Sequence, residues 1–92
     1  MIVIQRGSFR KTYKRLHVNQ LDEVNEAIEK IIENPVLGEQ KKGDLAKFRV
    51  YKFTVLGQLY LLAYVHNGEE DSLALRALGP HENFYRDLKK EL

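Results

Sequence analysis

Apolar and polar residues recur at two different periods along this chain, and the change from one to the other divides it in half. The first half is helical. Phe9, Tyr13 and Leu16 recur at i, i+4 and i+7, which places Arg10, Lys11, Lys14 and Arg15 on the opposite face. Ser8 is the expected cap of this helix. Leu21, Val24, Ile28, Ile31 and Ile32 hold one apolar face through a second helix that opens near Asn19. Asp22 and Glu23 fall in its first turn, where the helix dipole favours anions. Asn34-Pro35 ends it, because a residue before proline is pushed out of the helical region. Two helices separated by about two residues are expected to pack as an antiparallel hairpin. Ahead of them, residues 2–5 (Ile-Val-Ile-Gln) read as a short β-branched strand.

From Leu45 onward the period is two. Phe48 and Val50 alternate with Lys47, Arg49 and Tyr51. Beyond a turn around Val55-Leu56-Gly57, Leu59, Leu61, Ala63 and Val65 alternate with Tyr60, Leu62, Tyr64 and His66. Asn67-Gly68 is a hairpin signal. Leu73, Leu75 and Ala77 then alternate with Ser72, Ala74, Arg76 and Leu78, until Gly79-Pro80 stops the strand for want of a proline N–H. Glu82 to Leu92 reads as a short charged helix resting on Phe84 and Leu88. Val36 to Asp44 is the one long connector.

The order β-α-α-β-β-β-α predicts a single α+β domain over residues 1–92, an antiparallel sheet with an N-terminal helical hairpin packed on one face. In this register Phe48, Val50, Leu59, Leu61, Ala63, Val65, Leu73, Leu75 and Ala77 lie beneath the hairpin. Lys47, Arg49, Tyr51, Tyr60, Leu62, Tyr64 and Arg76 face the other way. Three cations and three tyrosines on one sheet face can pair phosphates and stack bases, and Tyr51, Tyr60 and Arg76 are the candidate substrate-binding residues. The preference of tyrosine for half-exposed strands would place the aromatics there equally well.

A chain that is 43% hydrophobic and 30% charged is built to fold rather than to stay disordered. Absence of cysteine excludes a disulfide framework and fits a reducing compartment. No apolar run is long enough for a membrane span, and the first six residues are too short for a secretion signal, so a cytoplasmic location is expected. No paired histidines or cysteines have metal-ligand spacing, and neither a metal nor another cofactor is expected.

A net charge of +2 does not announce a nucleic-acid binder, but its distribution is uneven. Residues 1–18 carry Arg6, Arg10, Lys11, Lys14 and Arg15 and no acid. Residues 19–39 carry six acids against Lys30 alone. Residues 40–66 turn basic again through Lys41, Lys42, Lys47, Arg49 and Lys52 against Asp44. Such segregation builds local fields that the total conceals, although solvated faces that keep a protein soluble look the same.

One stretch combines a structural stop with chemistry. Directly after Gly79-Pro80 come His81 and, four residues on, Tyr85. An imidazole has a reference pKa of about 6.5 and can both give and take a proton near neutral pH. A phenol one helical turn away can orient a ligand. A histidine at the start of a short surface helix, with no task, satisfies the same spacing.

Several features together resemble the RelE/ParE superfamily of bacterial type II toxin–antitoxin toxins. They are the element order, the Glu33-Asn34-Pro35…Gly38 break, Gly43-Asp44-Leu45 leading into Phe48-Arg49-Val50-Tyr51, and the Gly57-to-Tyr64 spacing. The sharpest piece is Leu78-Gly79-Pro80-His81-Glu82-Asn83-Phe84-Tyr85. It is similar to the terminal Gly-x-His-x-x-x-aromatic segment of YafQ-like members, whose histidine and aromatic belong to a ribonuclease site. In RelE-like members an arginine stands in place of that histidine.

The resemblance implies a metal-independent endoribonuclease that cuts mRNA, in association with the ribosome, and arrests translation. It further implies an antitoxin partner. On that basis His81 is expected as general acid, Arg49 as phosphate clamp, Tyr85 as base-stacking residue, and Lys47 as charge stabiliser or base. The middle-strand position that is arginine in RelE itself is matched here by Tyr60, and no strand-borne carboxylate stands in for the base. A ParE-like poison of DNA gyrase, acting by protein contact, and an inactive antitoxin-binding homologue share the same fold signature.

Overall fold

The computed structural model describes residues 1–92. The elements are β1 (Ile2–Gln5), α1 (Gly7–Arg15), α2 (Val18–Glu33), β2 (Glu39–Gln40), β3 (Arg49–Val55), β4 (Gln58–Asn67), β5 (Ser72–Pro80) and α3 (Phe84–Leu88). Short 3-10 turns occupy Gly43–Leu45 and Lys89–Glu91. The five strands form one sheet in the order β1-β5-β4-β3-β2. All neighbours are antiparallel except β1, which runs parallel to β5 after the helical crossover.

Both helices begin two residues earlier than their expected caps suggest. Ser8 lies inside α1, with Arg6 as its N-cap. The α2 helix opens after His17, whose backbone N–H donates to the Gln20 side chain at 2.9 Å. It ends at Glu33, where Asn34-Pro35 breaks it. The long connector contains β2, two residues that pair with Val50 and Arg49. No helical or alternating pattern announces so short a strand.

The principal correction concerns the faces of β3 and β4. The hairpin packs on Tyr60, Leu62 and Tyr64 together with Leu73, Leu75 and Leu78, through Phe9, Val24 and Ile31. Phe48, Val50, Leu61 and Ala63 lie on the opposite side of the sheet, in a second core with Leu45, Ala77, Phe84 and Leu88. The expected register is therefore one residue out in these strands, since a shift of one position inverts every side chain. Sequence alternation is a weak guide here because both faces are covered. Residues 60 to 64 of β4 are all buried, as in a central strand sandwiched between layers.

In β5, Leu73 and Leu75 do face the hairpin, but Ala77 does not. Ala63 pairs with Ala77 and Tyr64 pairs with Leu75, which leaves Arg76 as the extra residue of a β-bulge. The bulge resets the alternation, so that Leu78 rejoins the hairpin core. Leu59, placed under the hairpin by the pattern, is 40% exposed at the sheet end.

Candidate functional site

The β5 strand delivers its last residues to the end of the sheet beside the β3–β4 turn. The His81 N–H donates to the Leu59 carbonyl at 3.1 Å, extending the ladder one residue past Pro80. The Phe84 N–H donates to the His81 carbonyl at 3.3 Å, and Asn83 takes the left-handed conformation (φ 63°) that Asn tolerates better than most residues. Phe84 then drops into the second core and starts α3. The His81 backbone is thus held on both sides while its side chain is exposed. It lines an open depression with Gln58, Leu59, Pro80, Glu82 and Asn83.

Tyr85 points elsewhere. It packs half-buried on the second core, edge-on to Phe84 with ring centroids 5.6 Å apart. The Lys41 ammonium sits 5.0 Å from the Tyr85 ring centroid and is paired with the Glu39 carboxylate. That hydrogen bond raises the Lys41 pKa and lowers that of Glu39, and the nearby charges of Lys52 and Lys42 also lower the latter. Lys52 shares the face of Val50, two residues away on β3. Lys47, exposed, lies with its ammonium 5.3 Å from the Phe48 ring centroid. The α3 side of the sheet therefore carries Lys41, Lys47 and Lys52, with Tyr85 against the first of them.

Arg49 is not part of this group. Its guanidinium donates to the Gly38 carbonyl at 2.9 Å and to the Val36 carbonyl at 3.3 Å, on the loop that leaves α2. Tyr51 stacks on Phe53 (5.7 Å, 14°) and packs against the hairpin core. Tyr60 is 7% exposed, and its hydroxyl accepts from the Gln20 side chain at 3.3 Å. Arg76 donates to the Glu91 carbonyl at 2.7 Å and lies over the Phe48 ring at 5.3 Å, beneath the C-terminal turn. Tyr51, Tyr60 and Arg76 thus do not form the shared outward face that alternation predicted. The inverted register sends Tyr51 and Tyr60 into the hairpin interface, and the bulge sends Arg76 to the other side.

Sequence reasoning missed Gln58 beside His81 and Lys41 beside Tyr85. The basic run through Lys41 and Lys42 was visible, but only the pairing of β2 with β3 brings Lys41 under α3. No group of three or more His, Cys, Asp or Glu side chains gathers closely enough to hold a metal ion. No helix is long and apolar enough to cross a membrane.

Residues 3–89 match the family model described as ParE-like toxin of type II bacterial toxin–antitoxin system. The chain belongs to that family. Solved structures agree on the fold of this ParE-like toxin. A doubly substituted variant of the E. coli toxin RelE in the free state is similar at TM-score 0.74 and 14% identity, over 98% of this chain and 90% of that one. The intact E. coli RelBE toxin–antitoxin complex is similar at TM-score 0.69 and 16% identity, over 88% of this chain and 96% of that one. The isolated E. coli RelE toxin in its P21 crystal form gives TM-score 0.65 at 16% identity, over 99% of this chain and 98% of that one. No curated protein matches the chain by sequence. The toxin thus shares the RelE/ParE architecture with relatives from which its sequence has diverged widely.

Proposed function

We propose that this toxin arrests growth by cutting mRNA without a metal, with His81 as its proton-transfer group. The observation that carries the reading is the placement of His81, an exposed imidazole on a fixed backbone in an open depression at the end of β5. In this mechanism a ribose 2′-hydroxyl attacks the adjacent phosphorus. The O2′–P bond forms as the P–O5′ bond breaks, leaving a 2′,3′-cyclic phosphate and a free 5′-hydroxyl. Glu82, whose residue lines the same depression, takes the 2′-hydroxyl proton, and His81 gives a proton to the departing O5′. Arg49 is occupied with loop carbonyls, so Lys41, Lys47 and Lys52 on the α3 side are the cations left to hold phosphates of the bound strand beyond the scissile one. Tyr85 offers an aromatic surface for a base beside Lys41.

The family and the RelBE complex among its structural neighbours support a cognate antitoxin as partner, and action on ribosome-bound message is part of the same proposal. The second reading, a gyrase poison acting by protein contact, is favoured by one observation. Arg49 and Arg76 both serve the protein's own backbone rather than an open site. Brief induction followed by mapping of cleavage ends on a reporter mRNA, beside a gyrase supercoiling assay, separates the two. Cleavage abolished by His81→Ala supports the ribonuclease. Intact message with inhibited supercoiling would replace it with the gyrase reading.

A further inference from the structure

Met1, Ile2 and Val3 are consecutive, apolar and exposed, Ile2 to 63%. They open the chain on β1, which is an edge of the sheet with no neighbour beyond it. Apart from its short length this edge has none of the usual protection, since residues 2–5 contain neither a charge nor a proline. The N–H groups of Ile2 and Arg6 donate to the Asp71 and Leu75 carbonyls at 2.9 and 3.0 Å. The backbone N–H and C=O groups of Val3 and Gln5 therefore point the other way, out of the sheet. On the α3 side, Ile4 continues a row through its register partner Ala74 to Val65. All three are half-buried, and the row ends in the open at Ile4.

Charge is divided between the two ends of β1. Its N-terminal end lies against the β4–β5 turn, which carries Glu69, Glu70 and Asp71. Its C-terminal end runs into Arg6. Asp71 is paired with the Met1 amine at 3.2 Å, but Glu69, Glu70 and Arg6 are exposed and take part in no ion pair. Residues 2 and 6 of an extended strand are about 13 Å apart, so Arg6 does not serve the acidic turn of its own chain.

From this edge we infer that the toxin pairs with a second copy of itself, β1 against β1, antiparallel about a two-fold axis at Ile4. Val3 of each copy then faces Gln5 of the other, and their outward N–H and C=O groups bond across the axis. Ile4 meets its own equivalent, which joins the two apolar rows into one. Each Arg6 lies opposite Ile2 of the other copy, beside that copy's Glu69 and Glu70. Charge complementarity selects both the occupant and its direction. A parallel pairing would set the acidic turns against each other, and a foreign strand would lack the matching acid and base that a second copy brings at the right separation. The contact is isologous and closed. Two strands of four residues bury less than a standard interface, so association in roughly the micromolar range is expected. The pairing uses neither His81 nor Tyr85 and does not depend on the ribonuclease reading.

Sedimentation velocity of the purified toxin, from about 1 to 300 μM, tests the pairing. The sedimentation coefficient should rise with concentration to that of a dimer. Hydrogen exchange should show the Val3 and Gln5 amides gaining protection over the same range. Val3→Pro removes an outward N–H while sparing the ladder with β5, so it should weaken association at least about tenfold. Arg6→Glu should do the same, and so should Glu69→Lys with Glu70→Lys. Combined in one chain, the three charge reversals should restore the dimer, because each new charge meets its opposite on the other copy. These three side chains are exposed, so melting temperature should barely move, and the series decides the matter even if Val3→Pro fails to fold. Wild-type toxin that stays monomeric at every concentration would overturn the inference. So would a dimer indifferent to both Val3→Pro and Arg6→Glu, which must join through another face. Failure of the combined variant to regain the dimer would overturn the antiparallel register. Val3 and Gln5 amides protected only when antitoxin is added to a monomeric toxin would replace the second copy by a strand of the antitoxin.

Discussion

Tyr64 and Gly38 fit each other so closely that a Cβ added at Gly38 would strike the Tyr64 ring and hydroxyl. The Gly38 N–H donates to the Tyr64 hydroxyl at 2.8 Å, and that hydroxyl donates in turn to the Pro35 carbonyl at 2.7 Å. A Cβ on Gly38 would sit 2.8 Å from both the hydroxyl oxygen and Cε1 of Tyr64, and 3.1 Å from the Val50 backbone. Together with Arg49, which bonds the Val36 and Gly38 carbonyls, this pair fixes the path from α2 into β2. The position of Lys41 beside Tyr85 follows from that path.

Gly38→Ala is expected to destabilise the toxin by about 1–3 kcal/mol through overpacking, since the ring it meets is itself fully buried. Tyr64→Phe should cost a similar amount, about 1–3 kcal/mol, by leaving the Gly38 N–H and Pro35 carbonyl without their partner. The double variant removes the hydroxyl that the new methyl strikes, so its cost should fall below the sum of the two. Urea unfolding of the four proteins measures the cycle, and strict additivity would show that the two groups do not share the strain.

Burial raises the Tyr64 pKa, against the opposing pull of the Gly38 hydrogen bond and the Arg49 charge. The folded protein therefore keeps the phenol proton at a pH where the unfolded chain releases it. Stability from this group is complete below the ordinary tyrosine value of about 10 and falls as pH rises above it. Thermal melts between pH 8 and about 11 should show a steeper alkaline loss for wild type than for Tyr64→Phe. Parallel curves would mean that Tyr64 does not titrate differently on unfolding.

The helices, the hairpin turns and the strand that ends at Pro80 were legible because each rests on local signals. These are 3.6-residue periodicity, Asn34-Pro35, and Gly79-Pro80. The facing of the sheet was not. Tyr60, Leu62 and Tyr64 alternate with Leu61 and Ala63 without a polar break, and α3 covers its side with Phe84, Leu88 and the half-buried Tyr85. A short charged helix gives no hint that it roofs a core. The bulge at Arg76 carries no glycine to mark it. Of the candidate site, His81 was found by its position after the strand end, while Lys41 depended on a two-residue strand without a pattern of its own.

The β3–β4 turn contains a local misfit that engineering can remove. Val55 pairs with Gln58, and the two residues between them both have positive φ, 51° at Leu56 and 79° at Gly57. That is the two-residue turn in which Asn-Gly is preferred, and leucine is strained there. The Leu56 side chain is 57% exposed, and only its backbone N–H is used, donating to Glu23 at 3.1 Å. Leu56→Asn should stabilise the fold by about 0.5–1 kcal/mol, read as a raised urea midpoint with unchanged slope. A lowered midpoint would mean that Leu56 packs with a gain worth more than its strain.

Arg49 and His81 should separate stability from chemistry. Arg49 is half-buried on the hairpin side, where its guanidinium satisfies two loop carbonyls, so Arg49→Ala is expected to cost about 1.5–3 kcal/mol of stability. The loop should also exchange its amide protons faster. At a temperature well below melting, the rate of cleavage of a defined mRNA per folded molecule should change less than about threefold. His81→Ala should do the reverse. Its side chain is exposed, so stability should shift by less than roughly 0.5 kcal/mol. The cleavage rate should fall about 10²–10⁴-fold, as for loss of a general acid. Arg49→Lys is the discriminating control, because a lysine keeps the positive charge and replaces the guanidinium, one nitrogen of which donates to both carbonyls, by an ammonium. If charge at position 49 acts on the substrate, Arg49→Lys should restore cleavage that Arg49→Ala has lost. If the guanidinium only holds the loop, both variants should cleave, whatever each does to the melting temperature. Loss of cleavage in a fully stable Arg49→Ala protein would return Arg49 to the substrate and overturn its assignment as a loop anchor.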